Sequence, residues 1–197
     1  MTKKEQLEKL NKQMATCNQC DLRKTCNQVV PGEGSASAEI MFIGEGPGKK
    51  EDETGHPFVG AAGKFLDELI ASINLKREDI YIANTVKCRP PNNRDPLPKE
   101  KEACWPWLEK QLEIIQPKII IPLGRHSLEI FLPNARISEA HGRAFRKPFP
   151  PLKKIVFFPC YHPAAALYNG NLRETLLKDF KKIPRVLKLI EKEKILN

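Results

Sequence analysis

The chain has 197 residues, 41% of them hydrophobic, which is enough to bury a core, and it has no run of about 18 apolar residues, so a membrane-spanning helix is excluded. Its formal charge of +9 suits a polyanionic partner, because each phosphate neutralised releases counterions, although a lysine-rich solvated surface gives the same count. The opening "MTKKEQLEKLNKQM" lacks a secretory apolar core, so a cytoplasmic chain is expected, with its six cysteines as ligands or free thiols rather than disulfides.

In chain order, Leu7, Leu10 and Met14 share one face and predict a short helix at the N-terminus. Strand-like apolar runs come next, at 39–44 ("EIMFIG"), 79–86 ("DIYIANTV"), 118–124 ("KIIIPLG") and 154–160 ("KIVFFPC"). Helical patterns lie between and after them, at about 60–73, 99–115, 124–132 and 171–192. Strand and helix alternating in this way predict an α/β fold, a parallel sheet with helices on both faces. "RPPNNRDPLP" and "RKPFPPLK" read as proline-rich loops inside the domain, since elements continue on both sides. With no internal repeat, residues 1–197 read as a single domain.

In open α/β sheets ligands bind beyond the carboxyl ends of the strands. Glu45 follows the first strand directly, Asn84 closes the second, and His162 in "CYHPAA" follows the fourth. Each has an ordinary explanation alone: a loop carboxylate, a strand-end turn residue, a helix-start residue. Their common placement on one rim marks them as candidate site residues.

The cysteines form a second constellation. Cys17 and Cys20 make a Cys-x2-Cys pair, and Cys88 and Cys104 have fifteen residues between them, too many for a zinc ribbon. Four thiolates from two segments suit zinc or an iron–sulfur cluster. Cys160, in an apolar run, reads as a buried small hydrophobe, and Cys26 as a free thiol or substitute ligand.

Four motifs now resemble a known family in order and spacing. "GEGPG" (44–48), "HPFVGAAGKFLD" (56–67), "NTVKCRPPNNRDP" (84–96) and "YHPAA" (161–165) are similar to the family 4 uracil-DNA glycosylases, and the resemblance covers roughly residues 7 to 182. It implies a three-layer α/β/α fold with a four-stranded parallel sheet, removal of uracil from DNA, and a [4Fe–4S] cluster on Cys17, Cys20, Cys88 and Cys104. It also implies roles. Glu45 stabilises charge on the sugar and positions water, and His162 donates to uracil O2. Phe58 stacks on the base; a core position looks unsuited to it, beside Pro57 in a glycine-bounded loop. Asn84 pairs with uracil O4 and N3–H, while Glu51 and Asn93 shape the pocket and exclude the thymine methyl. Gly44, Gly46 and Gly48 keep side chains out of the way of DNA.

Beyond His162, Leu167 and Tyr168 are candidate minor-groove wedges and Arg173 a candidate phosphate ligand. Relatives that crosslink to DNA carry an extra basic loop with a nucleophilic histidine. Region 139–147 has His141 but no such insertion, so ordinary turnover is expected. A cluster so far in sequence from Glu45 and His162 reads as a staple ordering a DNA-facing loop.

Two other classes compete with the glycosylase. A uracil- or damage-binding module that does not cleave needs neither Glu45 nor His162. An iron–sulfur electron carrier predicts an acidic docking surface rather than a charge of +9. The expected partner is uracil-containing DNA and the expected state a monomer; partners such as a sliding clamp leave no readable mark.

Overall fold

The computed structural model describes residues 1–195. Helix α1 (Lys3–Ala15) starts at Thr2, whose hydroxyl accepts from Glu5 N–H while the Glu5 carboxylate accepts from Thr2 N–H. It buries Leu7, Leu10 and Met14, the predicted face. The next elements are β1 (Glu33–Gly34), β2 (Ile40–Gly44), α2 (Lys49–Thr54), α3 (Ala61–Ala71), β3 (Tyr81–Asn84) and α4 (Pro98–Ile115). The chain continues through β4 (Ile119–Pro122), α5 (Arg125–Phe131), α6 (Ile137–Ala140), β5 (Phe145–Phe149) and β6 (Leu152–Phe157). It ends in α7 (Pro163–Tyr168), α8 (Asn171–Phe180) and α9 (Ile183–Ile195).

The sheet runs β1-β3-β2-β4-β6-β5. Its four central strands are mutually parallel and are the four read from the sequence. Two antiparallel edge strands extend that expectation: β1 pairs with β3, and β5 with β6. The predicted 171–192 helix is two helices, α8 and α9, with Pro184 in the first turn of the second, where a missing N–H costs no hydrogen bond.

Alternation along each buried strand makes three layers. From β2, Ile40 and Phe42 pack with Phe65 and Leu66 of α3, Phe180 of α8 and Ile183 of α9. Met41 and Ile43 face the other way, against Leu7 of α1, Leu108 and Leu112 of α4 and Phe131 of α5. Cys160 is fully buried within the first of these cores, as its apolar run predicted.

The parallel register aligns the carboxyl ends of the strands. Gly44 pairs with Asn84 across β2 and β3, Ile43 with Pro122 across β2 and β4, and Leu123 bridges Cys160. The residues just past each strand are therefore delivered to one rim.

Candidate active site

A cleft of about 630 Å³ opens at that rim, within the usual range for small-ligand sites. Glu45, Gly46, Glu51, Phe58, Asn84, Asn93, His162 and Tyr168 all line it. Residues from four separate stretches of sequence thus meet in one place.

Asn84 is buried at the end of β3, and its Oδ1 has no hydrogen-bond partner within the protein. A buried acceptor left unpaired is unfavourable unless something outside the chain supplies the donor. Gly44 lies beside it by register, and a Cβ there would overlap Asn84 Oδ1 and come 2.7 Å from Phe58 Cζ. A Cβ at Gly46 would meet Val86 Cγ2 at 2.8 Å, and one at Gly48 Glu51 Oε2 at 2.7 Å. The missing side chains at these glycines leave room for the protein's own Asn84, Phe58, Val86 and Glu51.

Phe58 corrects an expectation. It is buried and packs with the hydrophobic core, while also lining the cleft, so one side chain serves both. Its φ of 53° is strained for a bulky residue and persists only where surroundings over-determine it. Those surroundings are identifiable. The Glu51 carboxylate accepts from Val59 N–H at 2.9 Å and Gly60 N–H at 2.8 Å. From the other side Arg77 donates to Pro57 C=O at 2.6 Å and Phe58 C=O at 3.2 Å. Glu51 therefore shapes the cleft by holding the loop that carries the aromatic ring.

His162 begins α7 and accepts from Ala164 N–H through Nδ1 at 3.1 Å. That bond puts the proton of the neutral ring on Nε2. Burial pulls its pKa down to about 4, so the ring is a neutral donor at physiological pH. Gly124, at φ 84°, passes beneath it, and a Cβ there would approach the His162 Cβ to 2.9 Å.

Glu45 is half-buried, and burial raises its pKa, opposed by His126. His126 Nε2 lies 3.7 Å from Glu45 Oε2 and 3.1 Å from Asp95 Oδ2, and Arg125 Nη2 reaches Asp95 Oδ2 at 3.0 Å. Sequence reasoning missed His126 and Asp95. The signal was present: Arg125–His126 follows the carboxyl end of the third parallel strand, the one strand end from which no candidate was taken.

Asn93, at φ 54°, accepts from Arg89 Nε at 2.8 Å and faces the cleft from the loop after β3. Arg94 braces that loop with a two-point pair to the buried Glu100 carboxylate, at 2.9 and 2.7 Å. Leu167 and Tyr168 stand out from the surface, 48% and 92% exposed, with Tyr168 at the cleft mouth. Arg173, the candidate phosphate ligand, pairs with Glu68 through Nη2 and lies over the Phe65 ring at 4.3 Å.

Away from the cleft, Cys17, Cys20, Cys88 and Cys104 line one apolar recess with Leu22, Lys87 and Trp107. Two N–H groups point at sulfur, Trp107 Nε1 to Cys17 and the Lys87 main chain to Cys104, both at 3.2 Å. Burial pushes the Cys88 thiol up, and that of Cys104 up to about 11. Cys26 is buried against Cys88 beside the recess.

The sequence model of the Uracil DNA glycosylase superfamily matches residues 31–187. A type-4 uracil-DNA glycosylase of Sulfurisphaera tokodaii is 49% identical over 90% of this chain and 83% of its own length. Proteins of the same description from Archaeoglobus fulgidus and Thermotoga maritima are 48% and 41% identical, over 91% and 95% of this chain and 92% and 97% of theirs. With that match spanning strands, cleft and the residues at its rim, the chain belongs to the uracil-DNA glycosylase superfamily.

Proposed function

We propose that this chain is a DNA-repair glycosylase that flips uracil out of DNA and hydrolyses its N-glycosidic bond, leaving an abasic site. One observation carries the reading: the unpartnered, buried Asn84 Oδ1 lies in a cleft that also holds a carboxylate and a neutral histidine. A flipped uracil supplies N3–H to that oxygen and O4 to the amide N–H. Cytosine has an acceptor at N3 and a donor at N4, so it mispairs at both atoms, the kind of mismatch that discriminates strongly.

As the bond between N1 and the sugar breaks, its electron pair leaves with the base. Negative charge gathers on uracil O2, where the Nε2–H of His162 donates, and oxocarbenium-like charge on the sugar, where Glu45 is the counter-charge. Water, oriented by Glu45, then adds to the sugar carbon, and the proton it releases neutralises the departed uracil anion. His126 sits beside the Glu45 carboxylate and is itself held by Asp95. Asn93 and Glu51 support the pocket wall that excludes the thymine methyl. Leu167 and Tyr168 fill the gap in the base stack, and a basic chain with a net charge of +9 suits the phosphate backbone.

The four cysteines suit a [4Fe–4S] cluster better than zinc. Tetrahedral zinc would hold four sulfurs about 3.8 Å apart. Among the described residues, the only set of three or more such ligand atoms within 4.8 Å of one another is Glu45, Asp95 and His126. The cysteine sulfurs are spread more widely around an apolar recess and receive N–H donors, as cluster thiolates do. When bound, the cluster would supply a cross-link between the segment after α1, the loop after β3 and helix α4. The reading treats residues 1–197 as one domain acting as a monomer in the cytoplasm; among the described residues no helix is long and apolar enough to cross a membrane.

The test is incubation with a single-stranded and a duplex oligonucleotide carrying one uracil, followed by alkali. Cleavage at the uracil position alone is expected. Binding without strand scission would leave a recognition module, and neither would overturn the reading.

A further inference from the structure

Among the described residues Lys87 is the only buried lysine or arginine. It sits between the two sites. Its ammonium donates to the Asn84 main-chain carbonyl at 3.0 Å and to Gln111 Oε1 at 2.7 Å. Gln111 is fixed in turn, donating to Pro31 C=O at 2.8 Å and Tyr81 OH at 3.1 Å. Both acceptors of Lys87 are neutral, and among the described residues no carboxylate forms an ion pair with it. A buried ammonium without a counter-ion is strongly disfavoured. Lys87 lines the recess together with the four cysteines, and its main-chain N–H donates to the Cys104 sulfur at 3.2 Å.

The other end of the same peptide is equally constrained. Thr85 N–H donates to Gly44 C=O at 3.0 Å, and the Thr85 hydroxyl to Glu45 C=O at 2.6 Å. The peptide joining Asn84 to Thr85 is thus gripped through its N–H by the loop of Glu45 and through its C=O by Lys87. That peptide sets the direction in which the Asn84 side chain leaves the strand.

We propose that Lys87 is a positioning residue through which the cysteine site fixes the Asn84 amide in the cleft. Thiolate charge on the recess holds the ammonium, and the ammonium holds the Asn84 carbonyl. The inference rests on the reading that Asn84 recognises uracil and that the four cysteines act as thiolates. It gives the distant cysteine site a route to base recognition without any part in the chemistry.

The test is a double-mutant cycle on the full chain, using Lys87→Met, Asn84→Ala and the pair. Lys87→Met keeps the length of the side chain and removes both donors and charge. Inhibition by free uracil and single-turnover excision should each weaken about tenfold to a hundredfold in Lys87→Met, the effect of a lost charge-assisted hydrogen bond. Affinity for uracil-free DNA should be unchanged. In the Asn84→Ala background the same change should cost less than about twofold. A readout independent of activity is chelator-driven loss of visible absorbance and of iron, which should be faster in Lys87→Met than in the parent. Equal losses in both backgrounds would overturn the proposal, as would unchanged uracil inhibition in Lys87→Met whatever its colour. Parental excision by Asn84→Ala would overturn the reading of Asn84 itself, and the link with it. Should Lys87→Met not fold, Lys87→Gln, which keeps a donor without the charge, enters the same cycle with the same criteria.

Discussion

The rings of Phe58 and His162 stack at 5.5 Å between centroids, 28° from parallel. The side chain proposed to cover the face of the base therefore braces the one proposed to donate to its O2. Since the donor acts mainly as charge develops, His162→Ala is expected to slow the single-turnover chemical step about a hundredfold to a thousandfold with DNA affinity kept. The measurement is rapid-quench excision beside a binding titration. A variant that bound DNA poorly but cut at the parental rate would make His162 a docking residue.

The pH profile separates the two catalytic groups. Glu45 must be ionised, and burial raises its pKa above the ordinary 4.5, so the rate should fall as pH drops through that raised value. His162 is held neutral down to about 4 and should add no limb at the usual histidine value of 6.5. His126→Asn removes the foremost of the groups that lower Glu45, so the acid limb should move to higher pH. Asp95, Arg125 and Lys101 also act on Glu45 and remain in that variant. A limb near 6.5 that disappeared in His162→Gln would contradict the assignment.

Gly44→Ala tests whether the cleft is where the base goes. The backbone there has no left-handed φ, so the sheet should still form, but the new methyl would displace Asn84 Oδ1 and the Phe58 ring. A shift of about 1 Å in such groups is worth roughly a hundredfold in rate, and that loss is expected with little change in melting temperature. Undiminished excision would move base recognition elsewhere on the rim.

The cysteine recess predicts colour. Purified protein should be brown, with iron and sulfide in equal amounts, and Cys88→Ala should bleach it and lower its melting temperature. Cys26→Ala should keep the colour, because Cys26 lies outside the recess lining. A colourless protein with one zinc per chain would refute the cluster.

Much of this architecture was legible because it is written in apolar runs. The parallel strands β2, β3 and β4 are buried on both faces, and "IMFIG" or "IIIP" admits few other readings. The edge strands were hidden for physical reasons. β1 is two residues long, and β5 contains Pro148 directly after the charged pair Arg146 and Lys147, a composition that suits only an edge. In the site, the strand-end rule located Glu45, Asn84 and His162, but was not carried to β4, where it would have found His126. The double duty of Phe58, core and cleft at once, could not be read from its neighbours, because Arg77 and Glu51 that hold it come from elsewhere in the chain. The capture of Arg173 by Glu68 is a tertiary pairing that no local pattern announces.

The loop bearing Phe58 is gripped by a carboxylate on one side and a guanidinium on the other, and so stands ready before any base arrives. A socket that does not reorganise leaves the distortion to the nucleic acid. Opening the base pair then becomes the step at which targets are sorted. Uracil facing guanine, the direct scar of cytosine deamination, is held less firmly than uracil facing adenine, and a rigid socket would collect it first. Stiffness in the protein should then appear as faster single-turnover excision of uracil opposite guanine than opposite adenine.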